Sequence, residues 1–336
     1  MSYMEWHPSR FFHSEGSSVP YALLILNQPI NERAYEVLSE HGYPSSFLSV
    51  CAACYVICAD GGANRLYDLT KNQGQELTEL PNVIVGDLDS LHPAVREHYR
   101  QLGVTILEDP DQYSTDFTKC LKHLNTHASE IIASPRRPRD SASQLSSDLL
   151  EVVILGGLGG RVDQAFSQIH HLYMMTETQR ELREIQHSTS GTNVPLGGDK
   201  TPRLATGGSL YLVSEESITF VLHKGRNIIY TPATRRADLV QAAPANGPQP
   251  GTSESPRSGK LVEQGTEYFF EENVGIIPLS APATITTQGF EWDVQDWPTE
   301  IGGQISTSNH IRAERVEVET SVPVLFTVEL AHRLKR

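Results

Sequence analysis

Carboxylates and glycines recur at the ends of short apolar runs in the first half of this 336-residue chain. Asp60-Gly61-Gly62-Ala63-Asn64 follows YVICA, and Gly86-Asp87-Leu88-Asp89-Ser90 follows NVIV. VTIL leads into a segment running from Glu108 through Asp109, Asp111, Gln112, Tyr113 and Thr115 to Asp116. Crowded like charges raise one another's free energy, and a hard cation offsets that cost. Mg2+ is usually held by one or two carboxylates plus substrate phosphates, so this pattern suits metal-assisted phosphate chemistry. Asp87 and Asp89 carry the most weight. In an extended segment, residues i and i+2 project to the same side, which would aim both carboxylates at one metal. Two ordinary turn aspartates have the same pattern.

The other candidates are weaker singly. Gly61 and Gly62 precede a helix-capable run, ANRLYDL, and would let backbone N–H groups approach a phosphate at a helix N-terminus; a plain strand-to-helix turn also fits. Ser114 or Thr115 can cap a helix that places Asp116 in its first turn, where it is either a site carboxylate or a capping one. After VVIL comes Gly156-Gly157-Leu158-Gly159-Gly160-Arg161-Val162-Asp163, which has neither dinucleotide-loop nor P-loop spacing. Arg161 beside four glycines offers a place for a phosphate oxygen, with Asp163 holding that arginine or a second cation. Late in the chain, Trp292 in Gly289-Phe290-Glu291-Trp292 is either core or a face for a cationic aromatic ring. Ile305-Ser306-Thr307-Ser308-Asn309 either orients a heterocycle or forms a polar turn. His170 and His171 read as structural or surface residues.

These residues need elements to position them. The strand candidates Tyr21–Leu26, Tyr55–Ala59, Asn82–Val85, Val104–Leu107 and Val152–Leu155 are continuous apolar runs, as expected of strands covered on both faces. Helix-capable stretches lie between them: Asn31–Glu40, Ala63–Thr70, Pro93–Gln101 and Thr115–Asn125. In Arg161–Leu182, Val162, Phe166, Ile169 and Tyr173 fall on one helical face. The alternation implies a Rossmann-like parallel α/β domain, in which ligands sit beyond the carboxyl ends of the strands. From Ser209 the pattern becomes SLYLVS, SITFVLH, EYFFEE, VGIIPL, ATITTQ, ERVEVET and VPVLFTVEL, an antiparallel β-sandwich pattern. The expected division is an α/β catalytic domain over 1–185, a flexible linker over 186–208 and a β-sandwich over 209–336. Segments 126–148 and 231–262 read as insertions, the second disordered, because their Pro, Ser, Gly and charge content buries little apolar area.

Composition narrows the function classes. The net charge of −14 argues against a nucleic-acid binder. No run of about 18 apolar residues is present, and the first residues lack a signal-type apolar segment. Cys51, Cys54, Cys58 and Cys120 form no paired metal-knuckle spacing and read as reduced buried thiols, which suits a cytoplasmic protein.

The motifs Leu26-Asn27-Gln28-Pro29, Asp60-Gly61-Gly62-Ala63-Asn64-Arg65, Gly86-Asp87-Leu88-Asp89-Ser90, Asp111-Gln112 through Lys119, and Gly-Gly-Arg-Val-Asp ending at Asp163 occur in order. With Ile305 to Asn309 they make a chain that resembles the eukaryotic, fungal-like thiamine pyrophosphokinases over most of its length. The resemblance implies Mg2+-dependent direct transfer of pyrophosphate from ATP to the hydroxyl of thiamine, giving AMP and thiamine diphosphate. It also implies a homodimer whose sites combine one subunit's α/β domain with the partner's sandwich. Carried onto this sequence, it makes Asp60, Asp87, Asp89 and Asp116 the catalytic, metal-holding cluster. Gly61, Gly62, Asn64, Thr115, Lys119, Gly157, Gly160, Arg161 and Asp163 would support the polyphosphate, and Gln112, Trp292, Ser306 and Asn309 would meet thiamine. Tyr113 stands where relatives often have an acidic residue, so it receives no metal role. The acidic cluster alone also admits another Mg2+-dependent phosphate-transfer or pyrophosphohydrolase enzyme, or a non-catalytic thiamine- or nucleotide-binding protein.

Overall fold

The computed structural model describes residues 3–13, 19–39, 53, 55–133, 149–189, 207–232, 234–236 and 268–335. Cys51, Cys54 and most of the three insertion stretches lie outside these residues.

Short apolar runs become strands because both of their faces are covered. β1 is Tyr3–Trp6, β2 Tyr21–Ile25, β3 Tyr55–Ala59, β4 Val83–Gly86, β5 Thr105–Glu108 and β6 Leu150–Leu155. The helices between them are α1 Glu32–Leu38, α2 Gly62–Asn72, α3 Pro93–Gln101, α4 Asp116–Ile132 and α5 Val162–Thr189. β7 is Gly207–Val213, β8 Ser217–Leu222, β9 Gly225–Tyr230, β10 Phe270–Pro278 and β11 Ala283–Gln288. β12 Trp297–Thr299, β13 Ser306–His310, β14 Arg315–Thr320 and β15 Val324–Leu330 complete the strands.

One ten-stranded sheet has the order β13-β10-β15-β8-β7-β6-β2-β3-β4-β5. β7, β6, β2, β3, β4 and β5 pair in parallel, while β8, β15, β10 and β13 pair antiparallel. The α/β half and the β-rich half therefore share a single hydrogen-bonded sheet. A second sheet, β1-β9-β14-β11-β12, packs on it. Alternating side chains of β2 serve two layers, as a two-residue period requires. Leu23 and Ile25 join a core with Tyr35, Leu66 and Tyr99 from α1 to α3 and with Ile229, Ile285 and Val318 from the second sheet. Ala22 and Leu24 join Phe117, Leu121 and Leu124 of α4 and Leu172 of α5 on the other side.

Several elements differ from the sequence-based expectations. EYFFEE and VGIIPL form one strand, β10, with register irregularities on both edges around Val274. Gly275 sits there because a Cβ would lie 3.0 Å from Thr327. β1 is an unforeseen strand: Trp6 is buried, stacks on Phe220 at 5.1 Å and donates from Nε1 to Asn227 at 3.0 Å. α4 continues through 126–132, into a stretch read as an insertion, because Ala128 and Ile131 are buried against the sheet. On α5 only part of the expected apolar face is covered. Ile169 and Tyr173 pack on the core, but Val162 is 71% and Phe166 65% exposed. Cys58 and Cys120 are buried free thiols. Among the described residues, no helix is long and apolar enough to cross a membrane.

Candidate active site

The chain runs β2-β3-β4-β5 outward and then returns to place β6 on the other side of β2. That reversal makes the carboxyl edge near β2 and β6 a crevice, where ligands of such sheets bind. The motifs singled out in the first half follow β2, β3, β4, β5 and β6 at this edge.

Asp60 follows β3, Asp87 follows β4, and Asp116 opens α4, which packs beside both strands. One carboxylate oxygen from each lies within 4.8 Å of the others. Among the described residues this is the one such group of three metal-ligating side chains. Gly86 makes the approach possible: a Cβ there would stand 2.6 Å from the Asp60 Cβ and 3.1 Å from Asp116 Oδ1. Asp60 takes a left-handed backbone, with φ +42°. Such backbone costs on the order of 1–3 kcal/mol outside glycine, and it clusters at functional sites.

The electrostatics are uneven. Ser90 N donates to Asp60 Oδ2 at 3.0 Å, but the buried Asp60 Oδ1 accepts no hydrogen bond. Burial, opposed by that Ser90 hydrogen bond and reinforced by the charges of Asp116, Asp89 and Asp87, raises the Asp60 pKa to about 6. Lys119, with its side chain 2% exposed, donates to Asp116 Oδ1 at 3.1 Å. Burial alone would lower the Lys119 pKa; the bond to Asp116 and the charges of Asp116, Asp87 and Asp109 outweigh it and hold the pKa above the ordinary value. Three carboxylates gathered together, one of them bonded to a buried ammonium and another with a buried oxygen unpartnered, make a donor set that fits a divalent cation.

Asp89 stands outside the group of three. Leu88 has φ +63°, so the segment is not extended and the same-side rule for i and i+2 does not apply. Asp89 is exposed, and its Oδ1 accepts from Ser90 Oγ at 2.8 Å. Gln112 lies at the cluster, donating from Nε2 to Asp87 Oδ2 at 3.1 Å. Thr115 caps α4, accepting from Thr118 N at 3.4 Å.

Some of the expected phosphate contacts turn inward instead. Asn64 is 6% exposed; its amide donates to Ser90 O at 2.8 Å and accepts from His92 N at 3.0 Å, pinning the Asp87–Asp89 loop. A Cβ on Gly62 would meet Ile25 O at 2.2 Å, and one on Gly61 would meet Asn27 Nδ2 at 2.3 Å. These glycines bring the start of α2 against the end of β2. A Cβ on Gly157 would strike Leu212 at 2.8 Å, while Gly160 turns with φ +66° beside Gln28. Arg161 is exposed and forms a bidentate pair with Asp163, at 3.1 and 2.6 Å. It projects from the same sheet edge, two strands from β3.

Trp292, Ser306 and Asn309 sit at the opposite end of the large sheet. Seven inter-strand steps separate β3 from β13, roughly 33 Å along the sheet. Trp292 is 55% exposed. Asn309 is buried: it accepts from Trp292 N at 3.2 Å and donates to Trp292 O at 3.0 Å. It thus grips the tryptophan backbone and does not face solvent as a ligand group would. The motif's spacing carried no sign of this, because the turn that brings Trp292 to β13 is a tertiary contact.

A family model described as "Thiamin pyrophosphokinase, catalytic domain" matches residues 49–183, which include the three clustered aspartates, Gln112 and Arg161. A second, "Thiamin pyrophosphokinase, vitamin B1 binding domain", matches residues 261–325, which include Trp292, Ser306 and Asn309. Thiamine pyrophosphokinase of Saccharomyces cerevisiae is 29% identical over 92% of this chain and 85% of its own length. Thiamine pyrophosphokinase 3 of Oryza sativa subsp. japonica is 27% identical over 93% of this chain and 88% of its own. The fold is similar to that of thiamin pyrophosphokinase from Candida albicans, with a TM-score of 0.63 at 23% identity over 98% of this chain and 94% of that one. The crystal structure of the yeast enzyme gives a TM-score of 0.64, also at 23% identity, over 98% and 91%. With both parts of one family's architecture matched in order and relatives aligned over nearly the full length, the chain belongs to the thiamine pyrophosphokinase family.

Proposed function

We propose that the chain transfers the pyrophosphoryl group of ATP to the hydroxyl of thiamine, with Asp60, Asp87 and Asp116 holding Mg2+ at the reacting polyphosphate. The gathering of these three carboxylates within 4.8 Å at one sheet edge carries this reading. The bound cation would supply charge neutralisation on the bridging oxygens. The chain's own groups do the rest. Lys119 keeps a positive charge beside Asp116, and Arg161 adds another from the start of α5, so charge developing toward the AMP leaving group meets two cations. The thiamine oxygen attacks the β-phosphorus and the bond to the α-phosphate oxygen breaks. Asp89, exposed and outside the metal-holding group, takes the hydroxyl proton. Gln112, already bonded to Asp87, orients thiamine from the acidic side.

The distance between the two rims argues for a shared site. Roughly 33 Å of sheet separates Asp60 from β13, too far for one thiamine molecule to touch Gln112 and Trp292 of the same chain. The reading is therefore a homodimer in which one protomer's acidic rim faces the partner's Trp292 rim. Exposed Val162 and Phe166 supply apolar surface near that edge.

Incubation with ATP, Mg2+ and thiamine, followed by mass analysis, tests the reaction. AMP and thiamine diphosphate in equal amounts support it. Free pyrophosphate with unmodified thiamine would point to a hydrolase, and tight thiamine binding without turnover to a binding protein.

A further inference from the structure

Behind the exposed face of Trp292 lies a set of ionisable side chains that the reaction itself does not use. His310 ends β13, Glu272 lies in β10, Glu291 precedes Trp292, and Arg312 follows β13. The His310 ring stands 5.0 Å from the Trp292 ring at an interplanar angle of 47°. His310 Nδ1 lies 2.7 Å from Glu291 Oε2 and 3.7 Å from Glu272 Oε1. Arg312 pairs with both Glu272 and Glu291. His310 Nδ1 sits between Glu291 Oε2 and Arg312 Nη2, 3.0 Å away, which holds the imidazole in one orientation against the indole.

The backbone around this set is tied as firmly. Asn309 grips Trp292 on both sides, Glu291 N donates to His310 O at 2.9 Å, and Arg312 N donates to Gly289 O at 2.9 Å. Asp293 accepts from Gly289 N at 2.9 Å and Phe290 N at 3.1 Å. Ser308 takes a left-handed φ of +56° where β13 leaves regular register with β10. Backbone strain of this kind persists only where the surroundings over-determine it.

We infer that the Glu272–Glu291–His310–Arg312 set is a positioning device for Trp292, fixing the plane of an exposed indole for the cationic ring of thiamine; the inference rests on the reading of Trp292 as a thiamine contact. A half-exposed aromatic ring ordinarily loses side-chain freedom when a ligand lands on it. A ring already backed by a clamped imidazole has less to lose, and that saving appears as affinity. Two carboxylates against one guanidinium also place net negative charge behind the indole, the sign that favours a cation on its open face.

His310→Ala removes the backing ring and its bond to Glu291. The expected result is a thiamine KM raised about three- to tenfold, with kcat and the ATP KM changed less than twofold. Acrylamide quenching reports the same event when every protein carries Trp297→Phe, since Trp6 is buried, Trp292 is exposed and the half-buried Trp297 is then removed from the signal; it should rise in His310→Ala. Glu291→Gln, which keeps a hydrogen-bond acceptor, should fall between wild type and His310→Ala in both readouts, and it serves if His310→Ala does not fold. Trp292→Ala is measured alongside. If Trp292→Ala raises the thiamine KM while His310→Ala and Glu291→Gln do not, the positioning role is overturned and the thiamine contact stands. If Trp292→Ala itself leaves the thiamine KM unchanged, the contact reading fails and takes the inference with it.

Discussion

The acidic rim gathers three carboxylates, bonds one of them to the buried Lys119 ammonium and leaves one buried Asp60 oxygen without a hydrogen bond. At the other end of the same sheet, the charges beside Trp292 are paired with one another and the turn's amides are bonded to Asp293 and Asn309. The first rim crowds acidic groups together with one oxygen unsatisfied; the second has its charges and amides paired within the chain. The contrast suits two different jobs. On the proposed reading, developing charge on a polyphosphate needs a strong field from fixed groups, which a crowded acidic pocket would provide with a metal bound. A flat cationic ring needs a rigid surface, which a satisfied network provides.

The comparison breaks most sharply at Asp87. Asp87→Asn should lower kcat by about 10²-fold or more with the fold intact, the scale of losing one preorganised electrostatic group. Near-wild-type turnover in that variant would remove the acidic rim from the chemistry. The pairing of unlike rims is tested by complementation. Asp87→Asn and Trp292→Ala proteins, mixed and allowed to exchange subunits, place one intact site in each mixed dimer. On the order of a quarter of wild-type activity at low thiamine should return; a mixture no more active than its parts would show that each chain builds its own site. Trp292→Ala alone should raise the thiamine KM about 2- to 30-fold and the ATP KM much less. Equal effects on both substrates would make the residue a packing element.

The smallest effect concerns stability. Asp60 has its folded pKa raised from 3.8 to about 6, so its protonated form favours the folded state. That contribution is full below the unfolded value near 3.8 and is lost as pH rises through about 6. Asp60→Asn imitates the protonated form. In EDTA it should stabilise the protein by about 1–3 kcal/mol at pH 7.5 and by almost nothing at pH 4, read by thermal unfolding. Excess Mg2+ at pH 7.5 should reverse the order, because the wild type gains binding energy that the variant lacks. An Asp60→Asn protein no more stable than wild type in EDTA would mean that the acidic rim carries little strain.

Local signals located much of this. Continuous apolar runs such as YVICA became β3 without change of boundary, since burial on both faces leaves one reading of such a run. PAVREHYRQ became α3 over the expected residues, with proline at its start. Asp60, Asp87 and Asp116 were visible because each follows a strand or opens a helix at the edge where parallel sheets bind ligands. The extended reading of Asp87-Leu88-Asp89 failed because a positive φ at Leu88 is invisible to a spacing rule. The Asn309 clamp on the Trp292 backbone was not legible, because nothing local to Asn309 announces a partner 17 positions away.

Residue types and their periods were thus enough to set the two kinds of architecture and the acidic edge, because each rests on contacts within a few positions or on side-chain chemistry that no fold alters. Only the folded chain could decide that one sheet joins both halves, that the first strand crosses to the second sheet, and that Asp60 and Trp292 stand some seven strands apart. Those outcomes depend on which distant segments bury each other's apolar faces, a choice made by the sum of many weak contacts and written at no single position.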